Sequence, residues 1–135
     1  MQGRDLLGIA QTGTGKTAAF ALPILQRFAQ EPQKAAPFTA RALILAPTRE
    51  LAAQIADSFR AYGQFMRPSV GVVVGGVSHR PQIDMLSRGL DVLVATPGRL
   101  LDHIASGRFK PATTQVLVLD EADHMLDLGF IAPIR

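Results

Sequence analysis

The 135-residue chain predicts an α/β domain, a parallel sheet flanked by helices. Three observations carry that prediction. Five short apolar runs rich in β-branched residues recur at 6–10, 42–46, 70–74, 91–95 and 116–119. Their hydrophobicity is continuous rather than alternating, the pattern of strands buried on both faces. Helical patterns separate most of them, as alternating β and α units require.

Taken in order, the run at 6–10 precedes a glycine-rich turn, and a helix is expected over 17–30. Pro23 lies inside that helix and is expected to kink it or end it early, because proline lacks the N–H and crowds the preceding turn. The stretch 31–41, with Pro32 and Pro37, reads as a surface connection, and so does 107–114 with Pro111. After the second run, Leu51, Ile55, Phe59 and Tyr62 share one helical face that ends at Gly63. After the fourth, Thr96-Pro97 offers an N-cap and then a first-turn proline, with Leu100, Leu101 and Ile104 expected to face inward.

Composition bounds the chemistry. With 47% hydrophobic residues the chain can bury a core and is not a disordered segment. It holds no Cys, which removes disulfides and thiolate metal sites and fits a reducing compartment. The apolar runs are too short for a membrane span, no signal peptide is evident, and a cytoplasmic location is the expectation. The net charge of +3 and pI near 10.0 suit a polyanionic partner, but the eleven Arg and three Lys are dispersed. A solvated surface explains them equally well.

The chemistry sits in two segments. Ala10-Gln11-Thr12-Gly13-Thr14-Gly15-Lys16-Thr17 has the layout of a phosphate-binding loop, with Ala10 where Gly is usual. Gly13 and Gly15 let backbone N–H groups turn toward phosphate oxygens. Lys16 offers a point charge to the β- and γ-phosphates, and the Thr17 hydroxyl can reach a Mg²⁺ ion. Far along the chain, Asp120-Glu121-Ala122-Asp123 closes the last apolar run. Adjacent carboxylates at a strand's end point in different directions, one toward a metal shell and one toward an attacking water. Together the two segments predict a nucleoside-triphosphate hydrolase.

Thr48 and Thr96 read as N-caps just after buried strands, with Arg49 and Arg99 beside them. Helix N-termini of this kind bind phosphate, and ligands of open α/β sheets gather at the carboxyl ends of the strands. Gly75-Gly76 reads as a turn at which a sugar-phosphate chain could approach the backbone. His79, His103 and His124 are scattered, show no metal-ligand spacing, and read as surface or capping residues.

In order, these motifs resemble the first RecA-like domain of a DEAD-box RNA helicase, most of all the bacterial members. Residues 10–17 resemble motif I, including alanine at its first position; Pro47-Thr48-Arg49-Glu50-Leu51 resembles motif Ia; Gly75-Gly76 resembles the glycine doublet. Thr96-Pro97-Gly98-Arg99 resembles motif Ib, and Asp120-Glu121-Ala122-Asp123 is the family's signature. The resemblance implies ATP and Mg²⁺ as cofactors, with Gln11, Thr12, Gly13, Thr14, Gly15, Lys16 and Thr17 around the nucleotide. Thr17 and Asp120 would hold the metal, and Lys16, Asp120 and Glu121 would carry catalysis. Pro47, Thr48, Arg49, Gly75, Gly76, Thr96, Pro97, Gly98 and Arg99 would hold single-stranded RNA by its backbone without reading bases. Asp123 would couple this domain to a second RecA-like domain.

The same resemblance implies that residues 1–135 are part of a helicase ATP-binding domain, incomplete at both ends. The upstream Q motif, the Ser-Ala-Thr motif and the second RecA-like domain fall outside the chain. In the family, the Ser-Ala-Thr strand lies between the phosphate-loop strand and the acidic-motif strand. Without it, two strands would leave backbone groups unpaired, at about 1–3 kcal/mol each when buried. A poorly stable chain is therefore expected, or a sheet that closes up differently, and ATP hydrolysis and unwinding are expected of the intact helicase. Two further readings stay open: a non-catalytic nucleotide- or RNA-binding module, and a DNA helicase or translocase domain. A GTPase is excluded, because the chain has no Asn and no guanine-recognition tetrapeptide.

Overall fold

The computed structural model describes the backbone of residues 5–10 and 14–120 and the side chains of residues 19–119. Five parallel strands form one sheet: β1 (Asp5–Ala10), β2 (Ala40–Leu45), β3 (Val70–Val73), β4 (Leu90–Ala95) and β5 (Val116–Asp120). Their spatial order is β1-β5-β2-β4-β3. All five apolar runs are strands, within a residue or two of the expected bounds.

Four α-helices connect them: α1 (Thr14–Gln30), α2 (Arg49–Tyr62), α3 (His79–Leu86) and α4 (Pro97–Ala105). Successive strand residues point to opposite faces, so the sheet feeds two cores. On one face Ala42, Ile44, Val92, Val94 and Val118 pack against α1 and α2, where Ile24, Phe28, Ile55 and Phe59 are buried. On the other, Leu43, Val73 and Leu93 pack with Leu86 of α3, Leu100 of α4 and Phe109. Burying each large side chain contributes about 1.5–3 kcal/mol, which explains why continuous apolar runs were selected. The rings of Phe20 and Phe59 join α1 to α2, centroids 6.2 Å apart and tilted by 44°.

Of the two outcomes expected for the sheet, the structure has the second. β1 pairs directly with β5, from Asp5↔Val116 to Ala10↔Asp120, with a register shift between Leu6 and Gly8. The facing edges of the two strands are therefore satisfied by each other, and β1 lies at the margin of the sheet.

Several local expectations are corrected. α1 runs through Pro23 to Gln30 rather than ending early. Tyr62 and Leu101 are exposed, at 40% and 58%, because each lies at the margin of its helix's apolar stripe. Arg41 is not part of the surface connection: it is the second residue of β2 and is buried. Its guanidinium lies 4.0 Å over the Phe28 ring and donates to Glu31 O at 2.9 Å, and burial lowers its pKa. The segment 107–114 carries a short 3₁₀ turn, Pro111–Thr113, and buries Phe109.

Candidate nucleotide and RNA site

The strand registers bring the motifs to one end of the sheet. Ala10 lies opposite Asp120, so the chain entering the phosphate-loop segment leaves β1 beside the residue that opens the acidic motif. Leu119 lies opposite Leu45, Leu45 opposite Ala95, and Ala95 opposite Val73. The carboxyl ends of all five strands thus form one row. Residues 11–13 and 121–135, and with them Gln11, Thr12, Gly13, Glu121, Asp123 and His124, lie outside the described residues.

α1 begins at Thr14, so the backbone N–H groups of Thr14, Gly15, Lys16 and Thr17 occupy its first turn. First-turn N–H groups have no intrahelical partner and sit at the positive end of the helix dipole. Groups of this kind are suited to an anion, and no carboxylate lies in that turn.

The other half of the row is built on β2, β3 and β4. Thr48 is extended, with φ −131° and ψ 159°, and its Oγ1 accepts the Leu51 N–H at 3.1 Å. It is the N-cap the sequence predicted. Thr96 occupies the corresponding place before α4, but its hydroxyl makes no capping bond. There Pro97, at the first helical position, removes one orphan N–H by its chemistry. Gly75 and Gly98 face open space, with nothing within 4 Å of a Cβ built on either. Gly76 has φ +79°, the left-handed region that glycine enters without cost, and Arg49 lies against it.

The two arginines differ. Arg49 is exposed, whereas the Arg99 side chain is only 11% exposed. Arg99 Nη1 donates to Val77 O at 2.8 Å and to Gln82 Oε1 at 3.2 Å, and its Nε lies 3.9 Å from Asp102 Oδ2.

Gln82 was not singled out by sequence reasoning, and His103, expected at the surface or as a cap, is instead buried. His103 is 1% exposed, its ring packs edge-on against His79 at 5.4 Å, and its Nε2 lies 2.9 Å from Gln82 Oε1. Gln82, itself buried, donates from Nε2 to Val74 O at 3.0 Å. That donation turns Oε1 toward the other two side chains, so His103 Nε2 carries the proton and donates. Burial lowers the His103 pKa, and His79 and Arg99 lower it further against an opposing pull from Asp102. A signal existed in helical spacing: His103 follows Leu100 by three residues and Gln82 precedes Leu86 by four, both on buried faces.

Comparison with known proteins agrees with this layout. The family model for DEAD/DEAH box helicases matches residues 1–135. The chain belongs to that family. The ATP-dependent rRNA helicase rrp3 of Sclerotinia sclerotiorum is 51% identical over 131 residues, spanning 96% of this chain and 26% of the relative. Its counterpart in Yarrowia lipolytica is 48% identical over the same length. Among solved structures, the yeast DEAD-box splicing factor Prp28 superposes with a TM-score of 0.80 at 42% identity, covering 94% of this chain and 30% of that one. A hypothetical ATP-dependent RNA helicase from Sulfolobus tokodaii superposes at 0.76 with 35% identity, covering 96% and 35%. This DEAD/DEAH box chain therefore spans about a quarter of its curated relatives, and its fold is that of their RecA-like domains.

Proposed function

We propose that the chain is the ATP-binding part of an ATP-dependent RNA helicase, an NTP hydrolase acting on RNA. The observation that carries this reading is the pairing of Ala10 with Asp120, which brings the residue that opens the phosphate-loop segment beside the residue that opens the acidic motif, with α1 beginning at Thr14. That arrangement fits Mg·ATP: a polyphosphate needs the amides, and a cation bound to it needs a carboxylate. When bound, Mg·ATP supplies a terminal phosphoanhydride that water can break.

The chain's own residues do the rest. Lys16 and the amides of residues 13–17 would hold the β- and γ-phosphates, with Gln11 and Thr12 as further nucleotide contacts. Thr17 and Asp120 hold the metal. Glu121 orients and deprotonates the attacking water, and Asp123 joins this domain to a second RecA-like domain. Catalysis of this kind is positioning and charge stabilisation rather than covalent chemistry.

On the other half of the row, single-stranded RNA lies along Pro47, Thr48 and Arg49, Gly75 and Gly76, and the start of α4 at Thr96, Pro97, Gly98 and Arg99. Open space over Gly75 and Gly98 favours close approach of a sugar-phosphate backbone. Contacts of this type carry no base sequence. RNA rather than DNA is favoured by Asp120-Glu121-Ala122-Asp123 together with Thr96-Pro97-Gly98-Arg99, and by relatives named as RNA helicases. ATP turnover in the intact helicase then drives duplex remodelling, in the cytoplasm by default. Among the described residues no helix is long and apolar enough to cross a membrane.

The deciding experiment is thermal unfolding with and without Mg·ATP, beside Lys16→Ala. A melt raised by Mg·ATP in the wild type alone supports the reading. A melt that Mg·ATP leaves unmoved in both contradicts it.

A further inference from the structure

Gln82 has no place in the motifs, yet its amide is the hub of the RNA half of the row. It sits on α3, buried at 5% exposure, and both ends of the amide are used. Nε2 holds Val74 O, the carbonyl just before the Gly75-Gly76 turn. Oε1 accepts from Arg99 Nη1 on α4 and from Nε2 of the buried His103. Arg99 Nη1 also donates to Val77 O, the carbonyl just after the turn. The four residues 74–77 are thus gripped at both ends, by Gln82 and by the arginine that Gln82 orients.

We propose that Gln82 is a positioning residue for RNA binding, locking Arg99 so that the Gly75-Gly76 turn and the Thr96–Arg99 segment present one rigid phosphate-contacting surface. The proposal rests on the RNA reading given above. Its physical basis is preorganisation. A guanidinium held by two oxygens loses little freedom when an RNA chain arrives, and the glycine turn it fastens has no side chains of its own to hold it. Gln82 touches no RNA itself. Its effect passes through Arg99 and through the Val74 carbonyl that it holds.

The test is an NMR titration of the full 135-residue chain with a short oligouridylate, following the amide signals of Gly75, Gly76 and Gly98. Gln82→Leu, which loses the acceptor, is expected to bind RNA about tenfold more weakly, the value of one hydrogen bond to a charged group. Gln82→Glu keeps an acceptor for Arg99 but loses the donor to Val74 O, and is expected to bind more weakly than wild type yet more tightly than Gln82→Leu. Arg99→Ala is expected to bind at least as weakly as Gln82→Leu, and the double variant to lose less than the sum of the two. Mg·ATP-induced stabilisation should be the same in all of them.

Wild-type binding by Gln82→Leu, or losses that add in the double variant, would overturn the positioning role alone. If wild-type Gly75, Gly76 and Gly98 do not respond to RNA at all, the RNA reading itself fails and the positioning role with it. Should Gln82→Leu not fold, Arg99→Lys decides. It keeps the cation but cannot bridge Val77 O and Gln82 Oε1 together, so full RNA affinity in that variant overturns the proposal and a loss like that of Arg99→Ala supports it.

Discussion

The guanidinium of Arg49 lies against the backbone of Gly76, so close that a Cβ on Gly76 would stand 2.5 Å from Arg49 Nη1. Two motifs 27 positions apart are thereby one surface, because β2 and β3 each flank β4 and end at the same level. Gly76→Ala is expected to cost about 1–3 kcal/mol of stability, since its φ of +79° strains any residue with a Cβ. It should also displace Arg49 and weaken RNA binding, which Arg49→Ala does without the loss of stability. Urea unfolding of the two variants, beside the RNA titration, checks the split.

Thr48 and Thr96 occupy equivalent places, but only Thr48 caps. Thr48→Ala is expected to lower stability by about 1 kcal/mol, and Thr96→Ala by no more than about 0.5 kcal/mol. Equal losses in urea unfolding would show that the Thr96 hydroxyl stabilises the chain through some other contact.

Gly89 tests the scaffold apart from the site. It has φ +75°, and a Cβ there would run into the backbone carbonyl oxygens of Ala35 and Ala36. Gly89→Ala should destabilise the chain by more than about 1–3 kcal/mol while leaving RNA affinity unchanged in the fraction that stays folded. A Tm within a degree or two of wild type would contradict this.

His103 predicts an acid-side loss of stability. Its folded pKa is lowered from about 6.5, first by burial and then by His79 and Arg99. The unfolded chain therefore binds the proton more readily than the folded one. The contribution of neutral His103 is complete above pH about 6.5 and is lost as pH falls from there through the lower folded value. Urea midpoints measured across that window should fall with pH in the wild type and flatten in His103→Gln. Equal slopes would place the acid sensitivity elsewhere.

Glu121→Gln in the intact helicase should leave Mg·ATP binding unchanged and cut turnover by about 10²-fold or more, the worth of a positioned general base. Normal turnover would remove Glu121 from that role.

Much of this molecule was legible in residue order. Continuous apolar runs marked all five strands because a sheet covered on both faces has no polar side to alternate with. The turn glycines and capping threonine declared themselves because backbone geometry permits few alternatives at those points. Local spacing could not show which side chains from different helices meet. Spacing alone makes His103 a surface or capping residue, yet it is buried against Gln82, since one polar residue on an apolar stripe looks the same whether its partner is water or another helix. Arg41 and Tyr62 exchanged their expected environments for the same reason.

The sequence by itself determined the strands, the order of the motifs and the family, since each depends on neighbours within a few residues. Only the tertiary structure decided that β1 closes directly on β5, that Arg99 is held by Val77 and Gln82 while Arg49 lies exposed against Gly76, and that Gln82 joins two motifs. Those are long-range pairings, set by which backbone edges and buried polar atoms must find partners once the sheet has formed.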